Sequence, residues 1–289
     1  MNGILLIDKP SGWTSMDVCA RLRGALREKR VGHGGTLDPM ATGLLVVFVG
    51  RATRAAEFAA SDEKTYEARL RLGVVTDTQD TSGTVLERRP ADVSPEQLEA
   101  VLPRFRGEIW QVPPMYSAVR VGGKRLYQIA RRGGEAERAA RRITIYSLRC
   151  TGAADGDFVL DVRCSKGTYI RTLCHDIGAA LGCGGAMSAL RRERAGTFAL
   201  SEAVTLDAAL AAAQAGEAAR LLRPVDTLFA AEPAQTVTPA QEKAVRNGAA
   251  YRTSLPAGRW RLYATNGEFL ALAEAADGQM RTIKSFFEV

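Results

Sequence analysis

Lys64-Thr65-Tyr66-Glu67-Ala68-Arg69-Leu70-Arg71-Leu72-Gly73-Val74 alternates cleanly. Tyr66, Ala68, Leu70 and Leu72 face one way; Thr65, Glu67, Arg69 and Arg71 face the other. A period of two with one charged face marks a half-buried strand of the antiparallel kind. Further strands are predicted at residues 3–8, 44–49, 115–121, 142–151 and 157–164. Helices are predicted between them. One runs from a Ser15 cap to about Lys29, with Val18, Leu22 and Leu26 at helical spacing. Another covers Thr53 to about Ala60. The capping box Ser94-Pro95-Glu96-Gln97 opens a third, to about Leu102. Tyr169 to Leu181 and Leu206 to Gln214 complete the set. Long antiparallel strands with interspersed helices predict an α+β fold rather than regular βαβ alternation.

The chain has 289 residues, 46% of them hydrophobic, enough for a sizeable core. Around Ala231-Glu232-Pro233 the pattern changes. Thr238-Pro239 starts a short helix, Asn247-Gly248 ends it, and three strands follow at 259–265, 268–275 and 280–287. The expected organisation is a large domain, residues 1–230, and a small α+β module, residues 231–289. The net charge of +7 favours polyanionic partners. The run Gly3 to Ile7 is too short for a signal segment, and Leu44 to Val49 falls far short of a membrane span. A cytoplasmic location with no membrane partner is therefore expected. The five cysteines, Cys19, Cys150, Cys164, Cys174 and Cys183, form no C-x-x-C, and His33 and His175 are the only histidines. That argues against a zinc site and against a disulfide framework, and for mostly buried thiols. No GxGxxG follows the first strand, and Gly122-Gly123-Lys124-Arg125 lacks the spacing of a phosphate-binding loop.

Gly32-His33-Gly34-Gly35-Thr36-Leu37-Asp38-Pro39-Met40-Ala41-Thr42-Gly43 sets one carboxylate in a glycine-punctuated loop before an apolar strand. A loop between rigid elements can aim such a group for chemistry. Asp-Pro after glycines is also ordinary turn chemistry, and spacing alone leaves both readings open. Between Arg120 and Arg142 lie eight basic residues: Arg120, Lys124, Arg125, Arg131, Arg132, Arg138, Arg141 and Arg142. Glycine pairs at 122–123 and 133–134 bracket the middle, which suits a mobile cationic arm lying along phosphates. A solvated surface excursion is the plainer alternative. Arg191-Arg192-Glu193-Arg194 forms a second basic cluster, read as a further nucleic-acid contact.

The Asp38 segment resembles the catalytic motif of the TruB family of pseudouridine synthases. The resemblance continues in register through Asp8-Lys9-Pro10-Ser11-Gly12, Lys64-Thr65-Tyr66, Pro114-Met115-Tyr116-Ser117-Ala118, Cys164-Ser165-Lys166-Gly167-Thr168-Tyr169-Ile170-Arg171-Thr172 and Leu190-Arg191-Arg192. It implies a central mixed, mainly antiparallel sheet flanked by helices, with a small C-terminal module of the PUA RNA-binding type. It implies isomerisation of the uridine at position 55 in the tRNA T-loop, by base flipping, with no cofactor, metal or guide RNA. Asp38 would be the nucleophile, Arg171 its partner cation, and Tyr66 the ring stacked on the uracil and a candidate proton acceptor. His33, Tyr169 and Leu190 would contact substrate, and Lys9 and Pro10 would brace the nucleophile loop. Arg120, Lys124, Arg125, Arg131, Arg132, Arg141 and Arg142 would lie along the RNA backbone. The tRNA T-arm is the implied partner, no obligatory protein partner is evident, and a monomer is expected. Gly34 departs from the family pattern, which has threonine there; glycine is expected to loosen the backbone. Two alternatives stand beside this reading: an RNA-binding or tRNA-chaperone protein with a non-catalytic Asp38 loop, and a guide-RNA-dependent H/ACA-type subunit.

Overall fold

The computed structural model describes residues 1–59 and 63–287. A ten-stranded sheet runs through the larger part of the chain. Its main path orders the strands Val204–Thr205, Gly3–Lys9, Thr42–Val49, Gly185–Ala195, Lys64–Leu72, Asp157–Cys164, Arg141–Ala154 and Gly107–Gln111. Most neighbours are antiparallel; Gly185–Ala195 beside Thr42–Val49 and Val204–Thr205 beside Gly3–Lys9 are parallel. The α+β, mainly antiparallel reading holds.

Three cores line this sheet, and two of them pack it against the longer helices. Leu5, Ile7, Leu45, Val47 and Val49 pack on Val18, Leu22 and Leu26 of the Ser15–Leu26 helix and on Leu206 and Ala209 of the Leu206–Gln214 helix. Farther along, Tyr66, Ala68, Leu70, Leu160 and Val162 pack on Ile170, Leu173 and Ile177 of the Ile170–Ala180 helix. The alternation read in Lys64–Leu72 is realised as expected, with Tyr66, Ala68 and Leu70 buried.

The first helix is capped by Thr14, not Ser15: Asp17 stands three residues after Thr14 and closes a capping box with it. It ends at Leu26, three residues early. Arg27 turns left-handed at φ 50° and returns its N–H to the last turn, freeing Val31–His33 to pair with Thr42–Val49. The helix expected over 53–60 is a 3₁₀ segment, Gly50–Ala55, followed by Ala56–Ala59; Ala60 lies outside the described residues. Only Arg120–Val121 of the strand expected at 115–121 is extended.

Residues 234–285 carry a separate five-stranded sheet with the Pro239–Arg246 helix against it. Its core includes Val237, Val245, Leu262, Leu270 and Met280. Phe229 bridges to the large sheet, its ring 5.3 Å from Phe58 and 5.9 Å from Phe286.

Candidate active site

The segment from Gly34 to Ala41 links two strands, and the rest of the site is built around holding it still. Lys9, at the end of the first strand, is fully buried and donates from Nζ to the carbonyls of Trp13 at 2.7 Å, Pro10 at 2.9 Å and Pro39 at 3.2 Å. Gly12 N–H also donates to Pro39 O at 2.9 Å. Ser15, freed from capping, exchanges two hydrogen bonds with the Leu37 backbone. Lys9 thus meets the loop, whereas Pro10 is exposed and its carbonyl accepts from Lys9 rather than from the loop.

Gly43 has φ 96°, and a Cβ there would lie 2.4 Å from Arg192 O. Glycine is needed where the two parallel strands approach this closely. Gly34 is different. Its backbone lies outside the left-handed region, but a Cβ would lie 2.7 Å from Ala59 Cβ and 2.9 Å from Phe48 Cε2. The missing side chain makes room for the Ala56–Ala59 turn, so the glycine tightens the loop's packing rather than loosening it.

Asp38 and Arg171 come together as a fork: Nε to Oδ2 at 2.9 Å and Nη2 to Oδ1 at 3.1 Å. The Arg171 side chain is 5% exposed and that of Asp38 28%, so the carboxylate faces outward with its cation behind it. Arg171 also donates to Tyr116 O at 2.8 Å and Thr78 O at 3.1 Å. Burial pushes the Asp38 carboxyl above the usual carboxylate range; Arg171 opposes that rise, Asp80 adds to it, and Lys9 opposes it more weakly.

Asp80 carries no sequence signal of its own. It is buried, with Oδ2 3.7 Å from Arg171 Nη1. Its Oδ1 accepts from Ser82 Oγ at 2.5 Å, Thr78 Oγ1 at 2.8 Å and Ser82 N at 3.0 Å. Arg171 therefore stands between two acids. The sequence Asp77-Thr78-Gln79-Asp80-Thr81-Ser82-Gly83 carries only turn signals. Gln111 is a second residue that sequence reasoning misses: its side-chain amide accepts from Tyr169 N at 2.8 Å and donates to Tyr169 O at 3.1 Å, fixing the start of the helix that carries Arg171.

Tyr66, Leu190, Leu37, Ala41 and Ile170 share one apolar cluster beside Asp38. Burial raises the Tyr66 phenol, the Arg192 guanidinium lowers it, and Asp38 raises it. Lys9 is drawn down to about 8 by burial, with Asp38 opposing and Arg192 assisting. His33 is also lowered, by burial first and then by Arg192, and its Nδ1 is buried with no hydrogen-bond partner among the described residues. Tyr169 is half-buried at the helix start.

The second basic cluster needs correction. Residues 185–195 form a central strand, so alternate side chains point inward. Arg192 is 2% exposed and Arg191 pairs with Asp8 at 2.9 Å; of the three arginines, only Arg194 is exposed. The arm cations do lie outside: Arg120, Lys124, Arg125, Arg131, Arg132, Arg141 and Arg142 are all exposed. They stand on a short hairpin, on irregular chain and, for Arg141 and Arg142, at the start of the Arg141–Ala154 strand; the Leu126–Ala130 helix between them turns Leu126 inward. Arg138 is half-buried and donates to Pro113 O, and Arg142 pairs with Glu108. Among the described residues no cluster of three or more histidine, cysteine or acidic side chains converges as a metal site, and no helix is long and apolar enough to cross a membrane.

Comparison with known proteins agrees with this geometry. The profile of the TruB family pseudouridylate synthase N-terminal domain matches residues 23–170, and that of the tRNA pseudouridylate synthase B C-terminal domain matches residues 171–230. The tRNA pseudouridine synthase B of Azoarcus sp. (strain BH72) is 47% identical over 97% of this chain and 93% of its own length. That of Thermobifida fusca (strain YX) is 43% identical over 99% of this chain and 98% of its own length. A chain of the Cbf5-Nop10-Gar1 complex superposes with a TM-score of 0.75 at 26% identity, over 99% of this chain and 85% of that one. A loop carboxylate backed by a buried arginine, in a chain that matches the family over nearly its whole length, has one reading: this protein belongs to the TruB family and is a pseudouridine synthase.

Proposed function

We propose that the chain isomerises the uridine at position 55 in the T-loop of tRNA, with Asp38 as nucleophile. The observation that carries this is the Asp38–Arg171 fork within a loop clamped by Lys9 and Ser15. A carboxylate has an unperturbed pKa of about 3.9, so it needs no neighbouring base to be nucleophilic at neutral pH. Arg171 orients it and favours its ionised form against the effect of burial. Tyr66 lies against the flipped uracil, and Tyr169, Leu190 and His33 contact it or the opened loop. The names of the relatives support tRNA as substrate.

Delivery of the RNA falls to two regions in this reading. The exposed cations between Arg120 and Arg142 lie along phosphates. The five-stranded unit near the C-terminus serves as a PUA-like RNA-binding module, residues 231–289, beside a catalytic domain of residues 1–230. The enzyme works in the cytoplasm as a monomer. It needs no guide RNA: its identity to tRNA pseudouridine synthase B proteins is 47%, against 26% to the chain from the Cbf5-Nop10-Gar1 complex.

The test is release of tritium from 5-tritiated uridine in a bare T-arm transcript. The native chain is expected to release label without added guide RNA, and Asp38→Asn to release none. Equal release by both would overturn the Asp38 assignment, and no release by the native chain would favour a binding protein.

A further inference from the structure

Arg192 is 2% exposed, in the strand between Thr42–Val49 and Lys64–Leu72. Its guanidinium donates to Leu44 O at 2.7 Å, Gly35 O at 3.1 Å and Thr36 O at 3.5 Å. Carbonyls satisfy its N–H groups but leave its charge in place, and among the described residues no carboxylate forms an ion pair with it. A buried guanidinium without a counter-anion is expensive to keep. Arg192 stands directly opposite Tyr66 in the strand register, both are buried, and its guanidinium favours the ionised phenol against the effect of burial. The Tyr66 phenol across the strand pair is a group that can supply a negative charge during reaction.

The reaction supplies a reason for such a charge. Turning uridine into pseudouridine moves C1′ from N1 to C5 and moves one proton from C5 to N1. The uracil turns so that C5 arrives where N1 departed. A group fixed at that place meets both atoms in succession. We propose that Arg192 is the counter-cation that lets Tyr66 carry this proton. The phenol gives its proton to N1 as the glycosidic bond breaks. The phenolate rests against Arg192 while the base turns. It then takes the proton from C5 after the C–C bond has formed and the Asp38–substrate bond has broken, its electron pair returning to the carboxylate. The electron pair of the C5–H bond returns to the ring, nothing is oxidised, and the tyrosine ends as it began. The inference rests on the reading that places Tyr66 against the uracil.

The other groups acting on Tyr66 are compatible with this cycle. Cys164 is held neutral, its thiol pushed up to about 11 by burial. Asp38 disfavours a phenolate while ionised, but once it has attacked the substrate it carries no charge. Arg192 does not reach the substrate, so it is a positioning residue and acts through Tyr66.

The test compares native enzyme, Arg192→Met, Arg192→Lys, Tyr66→Phe and the Tyr66→Phe/Arg192→Met double variant on T-arm RNA carrying protium or deuterium at uridine C5. Arg192→Met is expected to lower kcat roughly 100-fold, the lower end of what a positioned acid–base group contributes, with KM little changed. Its C5 isotope effect on kcat should rise above the native value, because proton removal becomes limiting. Arg192→Lys should keep part of the rate. In the Tyr66→Phe background, Arg192→Met should cost nothing further, since the two act as one unit. An unchanged isotope effect, or equal losses in both backgrounds, would overturn the proposal. If Arg192→Met lacks a cooperative melting transition, the isotope effect of Arg192→Lys decides in the same way. Failure of native enzyme to release label from C5 would instead remove the functional reading itself.

Discussion

Ser15 Oγ accepts from Leu37 N–H at 2.8 Å and donates to Leu37 O at 3.2 Å, so one hydroxyl at the start of a helix holds both polar groups of the residue before Asp38. Ser15 is 2% exposed and Leu37 3%, so water cannot replace the contact. Ser15→Ala should cost roughly 1–3 kcal/mol of stability, the usual penalty for leaving buried polar groups unpaired. It should also lower kcat more than it raises KM, since the loop keeps its residues but loses its aim. Thermal melting and steady-state kinetics check both.

The Asp38–Arg171 fork sets a pH dependence. As the proposed nucleophile, Asp38 has to be ionised to attack, and burial raises its pKa against the pull of Arg171. Activity should therefore fall, as pH is lowered, at a value above the ordinary carboxylate pKa of about 3.9. Arg171→Met removes the opposing charge and should move that acid limb to higher pH, with kcat at neutral pH reduced by about 100-fold or more. A pH–rate profile of both proteins measures it. An acid limb that stays in place would show that Arg171 does not govern Asp38.

Gly34→Thr would install the residue usual in the family, yet here its Cβ would press within 2.9 Å of Phe48 Cε2 and 2.7 Å of Ala59 Cβ. Overpacking of this kind costs about 1–3 kcal/mol. The melting temperature should drop by several degrees, with Asp38 chemistry retained at low temperature. A variant as stable as the native chain would mean that the Ala56–Ala59 turn yields freely.

The exposed arm cations predict a salt effect. Replacing Arg131, Arg132, Arg141 and Arg142 together by glutamine should weaken tRNA binding. The slope of log K against log salt should flatten by roughly 2 to 4, because each phosphate left without its cation removes about 0.7–0.9. Filter binding between low and physiological salt checks it. An unchanged slope would take the arm off the phosphate backbone.

Strand alternation in Lys64–Leu72 and the capping box at Ser94 are legible in the sequence because both are local signals. The Leu206–Gln214 helix shows its observed ends for the same reason. The Gly185–Ala195 strand is not legible. Its glycine start, small residues and arginine-rich end carry no periodicity, and its burial comes from neighbours distant in sequence. Arg192 consequently looks like surface charge, although Leu44, Gly35 and Thr36 enclose it. Asp80 is hidden in a run of turn formers, and only the arrival of Arg171 distinguishes it from Asp77. Asp38 and Arg171, by contrast, are paired through motif resemblance; their spacing of 133 residues offers no local clue.

Whether Asp38 makes pseudouridine at one uridine of the T-loop can be read from the product itself. Carbodiimide labelling of an unmodified tRNA transcript after incubation with enzyme, followed by primer extension, maps each modified uridine. One strong stop marking position 55 is expected with native enzyme and none with Asp38→Asn. Stops of equal strength from both proteins, or modification confined to other uridines, would contradict the assignment of Asp38 and of its target.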